Sequence, residues 1–265
     1  MIWLSLVLML IVGITLGLLG SGGSILTLPI LIYVTQLDPV TATSYTLFII
    51  GMSALIGSIK NVISGFVDFK IVVYFGVPSL ISVYLTRYFI LPSLPEVLIQ
   101  IDGFDISKDL FLILLLAFLM VIAAVSMIRK RKNMLEKDKL NSNLSFLIIF
   151  IQGIVVGFIT GFVGAGGGFL IIPALVNFCQ LPIKKAIATS LAIIAINASI
   201  GFIGDWNKGV ILDYLLLMYF SISALIGTFI GFILSKSFNE SQLKIIFGWF
   251  VLIMGVFIFV KELFF

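Results

Sequence analysis

The chain has no histidine, a single cysteine, and charged side chains at only 11% of its 265 positions. Each shortage closes a class of chemistry. Without histidine, the commonest metal ligand and the usual proton shuttle of neutral pH are missing, and Cys179 alone cannot close a disulfide within the chain. Zinc, haem and thiol-redox functions are not expected, and neither a cofactor nor a metal is implied. Soluble domains carry about a quarter charged residues. Here 61% of positions are hydrophobic and the mean hydropathy is +1.28, which points to an all-α polytopic integral membrane protein with no length left for a soluble domain. The opening stretch MIWLSLVLMLIVGI has no basic leader region and no small-residue cleavage site before polar sequence, and it reads as a retained helix.

Apolar segments are expected at about 2–19, 25–36, 39–60, 70–91 and 109–128, then at 144–163, 168–181, 185–204, 211–235 and 242–262. The run RKRKNMLEKDK, Arg129 to Lys139, is the one long charged stretch. It divides the chain into a first membrane repeat (1–128), a basic cytoplasmic linker (129–143) and a second membrane repeat (144–265). A shift of 144 places overlays Gly17, Gly20, Gly22, Gly23, Leu26, Pro29 and Leu31 on Gly161, Gly164, Gly166, Gly167, Leu170, Pro173 and Leu175. Two positions further in register, Ala42-Thr43-Ser44 answers to Ala188-Thr189-Ser190. The halves read as copies.

Lysine and arginine set the orientation, because basic loops stay in the cytoplasm. With the central run inside, twelve basic residues fall inside and four, Arg87, Lys108, Lys208 and Lys261, fall outside. Each half then crosses an odd number of times, so the copies are expected to be inverted, with both termini outside a cell membrane of the bacterial inner-membrane type. Inverted repeats of this kind build secondary transporters around one midplane site.

GLLGSGGSILTLPIL and GFVGAGGGFLIIPAL put a glycine-rich break before a segment of about 12 residues, roughly 18 Å as a helix and too short to span alone. Non-helical backbone at that depth is tolerated where it is buried in protein or lines a watered cavity. Backbone N–H groups at Ser21, Gly22, Gly23, Ser24 and Ile25, and at Ala165, Gly166, Gly167, Gly168 and Phe169, are candidates for holding one small anion at the positive end of a helix dipole. The competing reading is that small residues let helices pack closely. Thr43, Ser44, Thr189 and Ser190 could add hydroxyls, or simply satisfy nearby helix carbonyls. Asn197 is an amide inside a membrane helix and wants a partner, substrate or helix. Arg87, in YLTRYFILP, reads as a side chain snorkelling to the outer face, and Asp38 before Pro39 reads as a helix N-cap. Asp68, Asp205 and Asp213 stand at segment ends, so no proton relay at mid-depth is legible.

The paired G-x-x-G-x-G-G motifs, each followed by a short segment with a proline, in halves joined by a basic loop and carrying ATS elements, resemble the sulfite exporter TauE/SafE family, the TSUP transporters, over essentially the whole chain. The resemblance implies transport of sulfite or a small organosulfur anion such as a sulfonate or thiosulfate. The expected partners are that anion and the lipid bilayer, without nucleic acid, and a homodimer is compatible with the sequence. An anion channel or a non-transporting accessory membrane subunit are the alternatives. Enzymatic chemistry is not expected, because no nucleophile–base pair stands at mid-depth.

Overall fold

The computed structural model describes residues 2–101, 104–128, 142–164, 167–177, 179, 181–207, 210–235 and 240–264. Ten helices follow the expected segments: α1 (Ile2–Leu19), α2 (Thr27–Tyr33), α3 (Pro39–Ile63), α4 (Phe69–Ser93), α5 (Lys108–Ile128), α6 (Ser142–Val163), α7 (Gly168–Asn177), α8 (Ile183–Asn207), α9 (Tyr214–Leu234) and α10 (Glu240–Phe264). Six of them, α3, α4, α5, α6, α8 and α9, are long and apolar enough to cross a bilayer among the described residues. The protein is thus an all-α polytopic membrane protein. Its one departure among the described residues is a small antiparallel ribbon between α4 and α5, β1 (Val97–Ile101) with β2 (Phe104–Ser107). The basic linker lies outside the described residues from 129 to 141.

Local chemistry sets the helix starts. Asp38 accepts from the Thr41 N–H at 2.8 Å ahead of Pro39, the expected cap. Asp68 caps α4 through Lys70 and Ile71, and Asp213 caps α9 through Leu215 and Leu216. Two π-helical turns widen α4, at Val72–Gly76 and Thr86–Ile90. Each stands just ahead of a proline, Pro78 or Pro92, whose ring removes a donor and crowds the carbonyl four residues back.

The helices pair across the two halves. Helix α1 packs on α9, with Leu10 and Ile14 against Gly227 and Gly17 against Gly231, so contacts climb together and the two run parallel. Helix α6 packs on α4 in the same sense, Gly153 on Phe75, Gly157 on Ser79 and Gly161 on Thr86. Between these pairs α3 and α8 cross antiparallel, with Leu47 near Gly201, Gly51 near Ala198 and Ser44 bonded to Asp205. Helices α5 and α10 close the bundle, Met120 lying on Gly255. The surface is apolar, with Trp3, Val73, Phe89, Phe118, Phe150, Phe229 and Phe257 exposed where acyl chains would lie.

Glycine makes the cross-half pairs close. A Cβ on Gly157 would run into the Ser79 backbone, and one on Gly17 would meet backbone atoms of Thr228, Gly231 and Phe232. These glycines serve packing, as the competing reading held. Gly157→Val is expected to lower the melting temperature of the detergent-purified protein, through overpacking of about 1–3 kcal/mol. An unchanged unfolding curve would contradict the close approach of α6 and α4.

Candidate functional site

The two breaks share their first residue and then diverge. Helix α1 ends at Gly20 with φ +68° and α6 ends at Gly164 with φ +67°, the left-handed conformation that glycine adopts without strain. Past Gly20, residues Gly20–Leu26 wind as a 3₁₀ turn running into α2, and the Thr27 N–H bonds to the Ser24 carbonyl. A 3₁₀ turn directs its N–H groups to carbonyls three residues back within the chain. The open nest expected at Ser21–Ile25 is therefore replaced by a wound turn at the first break. Gly23 lies so close to α1 that a Cβ there would meet the Thr15 and Leu16 backbone, so the chain doubles back on the helix it has just left. The second break gives a true helix start: Gly167 has φ +67°, and its carbonyl accepts from Leu170 and Ile171 at 2.9 and 3.0 Å as α7 begins. Gly168 and Phe169 form the first residues of that helix, while Ala165 and Gly166 lie outside the described residues. The first break packs directly against α7, so the two motifs do meet.

The hydroxyl pairs do not converge. Because α3 and α8 run antiparallel, Thr43 and Ser44 lie at one end of the bundle and Thr189 and Ser190 at the other. The register of 144 also persists through these helices. Gly57 and Gly201 occupy matching contacts, as do Leu47 and Leu191. Tyr45 Oη bonds the Asp213 backbone at 2.9 and 3.0 Å, and 144 places on Thr189 Oγ1 accepts from the Asp68 N–H at 3.0 Å. The ATS elements, two places off that register, are thus not structural equivalents. Ser190 donates to the Ile187 carbonyl at 2.8 Å, while Thr43 and Ser44 have a larger task.

That task is a buried ion pair. Arg87 does not snorkel: it is 1% exposed, in the second π-turn of α4. Its Nε donates to Asp205 Oδ1 at 2.7 Å and its Nη2 to Oδ2 at 2.5 Å, a two-pronged grip on a carboxylate 5% exposed. Nη2 also donates to Thr43 Oγ1 at 2.8 Å and Nη1 to the Gly161 carbonyl at 3.1 Å, while Ser44 Oγ donates to Asp205 Oδ2 at 2.5 Å. A Cβ on Gly164 would collide with Thr43 and come within 3.0 Å of Nη1. Arg87 therefore caps the end of α6 at the second break and ties α3, α4, α6 and α8 into one knot. At the opposite end of the bundle Phe232 stands where Arg87 does, against Gly57 and Leu191, with exposed Lys60 Nζ 4.9 Å above its ring.

Polar atoms at mid-helix have fewer partners. Asn197 Nδ2 donates to Ser79 Oγ at 2.7 Å. Its carbonyl oxygen, the Ser53 hydroxyl, and the hydroxyls of Thr46 and Thr27 are buried without a hydrogen-bond partner among the described residues. Ser53 and Asn197 stand 144 places apart, at the middles of α3 and α8.

A family model described as sulfite exporter TauE/SafE matches residues 5–262. The chain belongs to this family. It is 28% identical to a probable membrane transporter protein of Xylella fastidiosa strain 9a5c, over 94% of this chain and 91% of that protein. A probable membrane transporter protein of Methanocaldococcus jannaschii is 26% identical over 96% and 95%, and one of Bacillus subtilis is 26% identical over 95% and 98%. No solved structure matches the chain.

This TauE/SafE protein is a multi-pass membrane transporter and not an enzyme. Sequence reasoning missed the Arg87–Asp205 knot because 118 places separate the partners and Asp205 looks like a segment end. The one available signal was a lone arginine inside an apolar segment. Removing one partner of a buried pair strands the other charge, so Arg87→Met alone is expected to cost about 3–5 kcal/mol of stability. Denaturant unfolding of the purified protein measures this, and a loss below about 1 kcal/mol, the level of a surface pair, would contradict the buried geometry.

Proposed function

We propose that this transporter carries a small sulfur-containing oxyanion, sulfite or an organosulfur anion such as a sulfonate or thiosulfate, across the cell membrane. Two inverted repeats would expose one midplane site alternately to either side. The observation that carries this reading is the pair of buried, partnerless polar atoms at matched mid-helix positions, Ser53 and Asn197, in a bundle where the first glycine-rich break packs on α7. Buried polar groups in a membrane interior are costly without partners, and such positions mark substrate paths. The α7 start at Gly167, Gly168 and Phe169 offers the positive end of a helix dipole to the anion. Ser21, Gly22, Gly23, Ser24 and Ile25 would form the facing wall, wound as a 3₁₀ turn. The antiparallel crossing of α3 and α8, equivalent helices of the two halves, supports the inverted arrangement, as does the basic-residue count. Membership of the sulfite exporter TauE/SafE family supports the sulfur oxyanion.

Protein purified into liposomes is to be assayed for uptake of sulfite, sulfate, thiosulfate and short sulfonates, with thermal shift on the same panel. Saturable uptake and selective stabilisation by one sulfur oxyanion are expected. Gly22→Val and Gly166→Val are each expected to abolish that uptake while leaving an inserted, folded protein, and unchanged uptake in either would remove the breaks from the site. Non-saturating single-channel currents would make the protein a channel, and no anion movement at all would make it an accessory subunit.

A further inference from the structure

We infer that Arg87 is the oxyanion-binding group of the transport cycle, and that Asp205 is a tethered internal oxyanion holding its place until substrate displaces it. This rests on the oxyanion reading above and names the residue that receives the charge.

The chemistry of the pocket matches the substrate class. A guanidinium edge presenting Nε and Nη2 grips two oxygens of any flat or tripod oxyanion, and here it grips the two carboxylate oxygens of Asp205 at 2.7 and 2.5 Å. A sulfite or sulfonate offers the same paired oxygens. The Thr43 hydroxyl accepts from Nη2 at 2.8 Å and donates to the Val40 carbonyl at 2.7 Å, which fixes the guanidinium edge in place. Four named bonds use four of the five guanidinium donors, leaving one Nη1 hydrogen for a further substrate oxygen. The absence of a side chain at Gly164 lets the second break lie flush against this group.

Asp205 is badly placed to be a permanent fixture. It lies in the last turn of α8, two residues before Asn207, where the helix dipole disfavours a negative charge. Its named side-chain partners are Arg87 and Ser44. Asp205 stands at the end of α8 next to Trp206, which is 53% exposed.

The position also leads somewhere. Thr43, Thr46 and Ser53 fall on one face of α3, at steps of three and seven residues. Thr46 and Ser53 are the next hydroxyls inward from Arg87, and both are buried without partners. An anion taken by Arg87 meets these groups in turn on its way to mid-depth. Among the described residues, Phe232 takes the equivalent place at the other end of the bundle. Ion exchange with substrate is thus assigned to the Arg87 end.

The test uses sulfite and methanesulfonate uptake into liposomes, with half-saturation and maximal rate measured separately. Arg87→Met with Asp205→Met removes both charges and strands neither, and such replacements of buried pairs are commonly tolerated. This double variant is expected to keep the wild-type melting temperature and to lose about a hundredfold in uptake at low substrate. Asp205→Asn removes the competitor, and its half-saturation concentration is expected to fall about tenfold, with a lower maximal rate as the anion leaves more slowly. Ser44→Ala, which loosens Asp205 while leaving both charges paired, is expected to move half-saturation in the same direction by about threefold, and it reads the exchange if Asp205→Asn does not fold. Wild-type kinetics in the double variant would make the pair a structural staple and overturn the inference. So would unchanged half-saturation in a folded Asp205→Asn, or in Ser44→Ala where Asp205→Asn does not fold. Wild-type protein that neither binds nor moves either anion would instead overturn the oxyanion reading on which the inference stands.

Discussion

Hydrocarbon offers no hydrogen bonds, so a charged group that this chain takes below the membrane surface has to be met from within the protein. That requirement accounts for the arrangement around Arg87. A guanidinium inside α4 could reach the surface only by leaving its helix neighbours. It is instead satisfied by a carboxylate from α8, a hydroxyl from α3 and the Gly161 carbonyl in the last turn of α6. Those partners belong to both halves of the chain. One buried cation therefore dictates how four helices sit at one end of the bundle.

Glycine supplies the complementary condition, since groups can be met from a neighbouring helix only if backbones come close. Gly13, Gly17, Gly227 and Gly231 bring α1 and α9 together, and Gly153, Gly157 and Gly161 do the same for α6 and α4. These pairs join the first helix of each half to the fourth helix of the other, so neither half is a self-contained bundle. The same motif then changes purpose within one turn. Gly17 and Gly161 pack, whereas Gly20 and Gly164 end a helix in a conformation that other residues resist. Close packing and helix ending are thus divided between different positions of one motif.

Much of this was legible in the sequence, because hydrophobic length and turn chemistry are local. The ten segments, the Asp38 cap and the 144-place register follow from runs and spacings that need no tertiary information. The 3₁₀ winding of Gly20–Leu26 was not legible, since glycine and serine permit several backbones and packing on α1 and α7 selects one. The ATS match misled for a related reason: three small residues recur easily. The true equivalence, Tyr45 with Thr189, is visible only through what each bonds to. Arg87 and Asp205 were misread because a charge near the end of an apolar segment has two solutions, water or a partner. Only the fold decides between them.

Equivalent positions at the two ends of the bundle now carry different chemistry on the same scaffold. Gly201 and Gly57 offer the same close approach, Leu47 and Leu191 the same apolar contact, yet one receives Arg87 with Asp205 and the other receives Phe232 beneath Lys60. A duplicated frame needs matched packing to remain a frame, and the glycine and leucine pairs preserve it. Charge is free to differ where it points into the space between helices. The ionic end is dehydrated and directional, so separating its partners requires a replacement anion or water. The cation–π end keeps its lysine exposed and stays close to solvent, where such contacts contribute about 0.5–1 kcal/mol. The two ends are therefore held by different contacts, a buried ion pair at one and a solvent-exposed cation–π contact at the other.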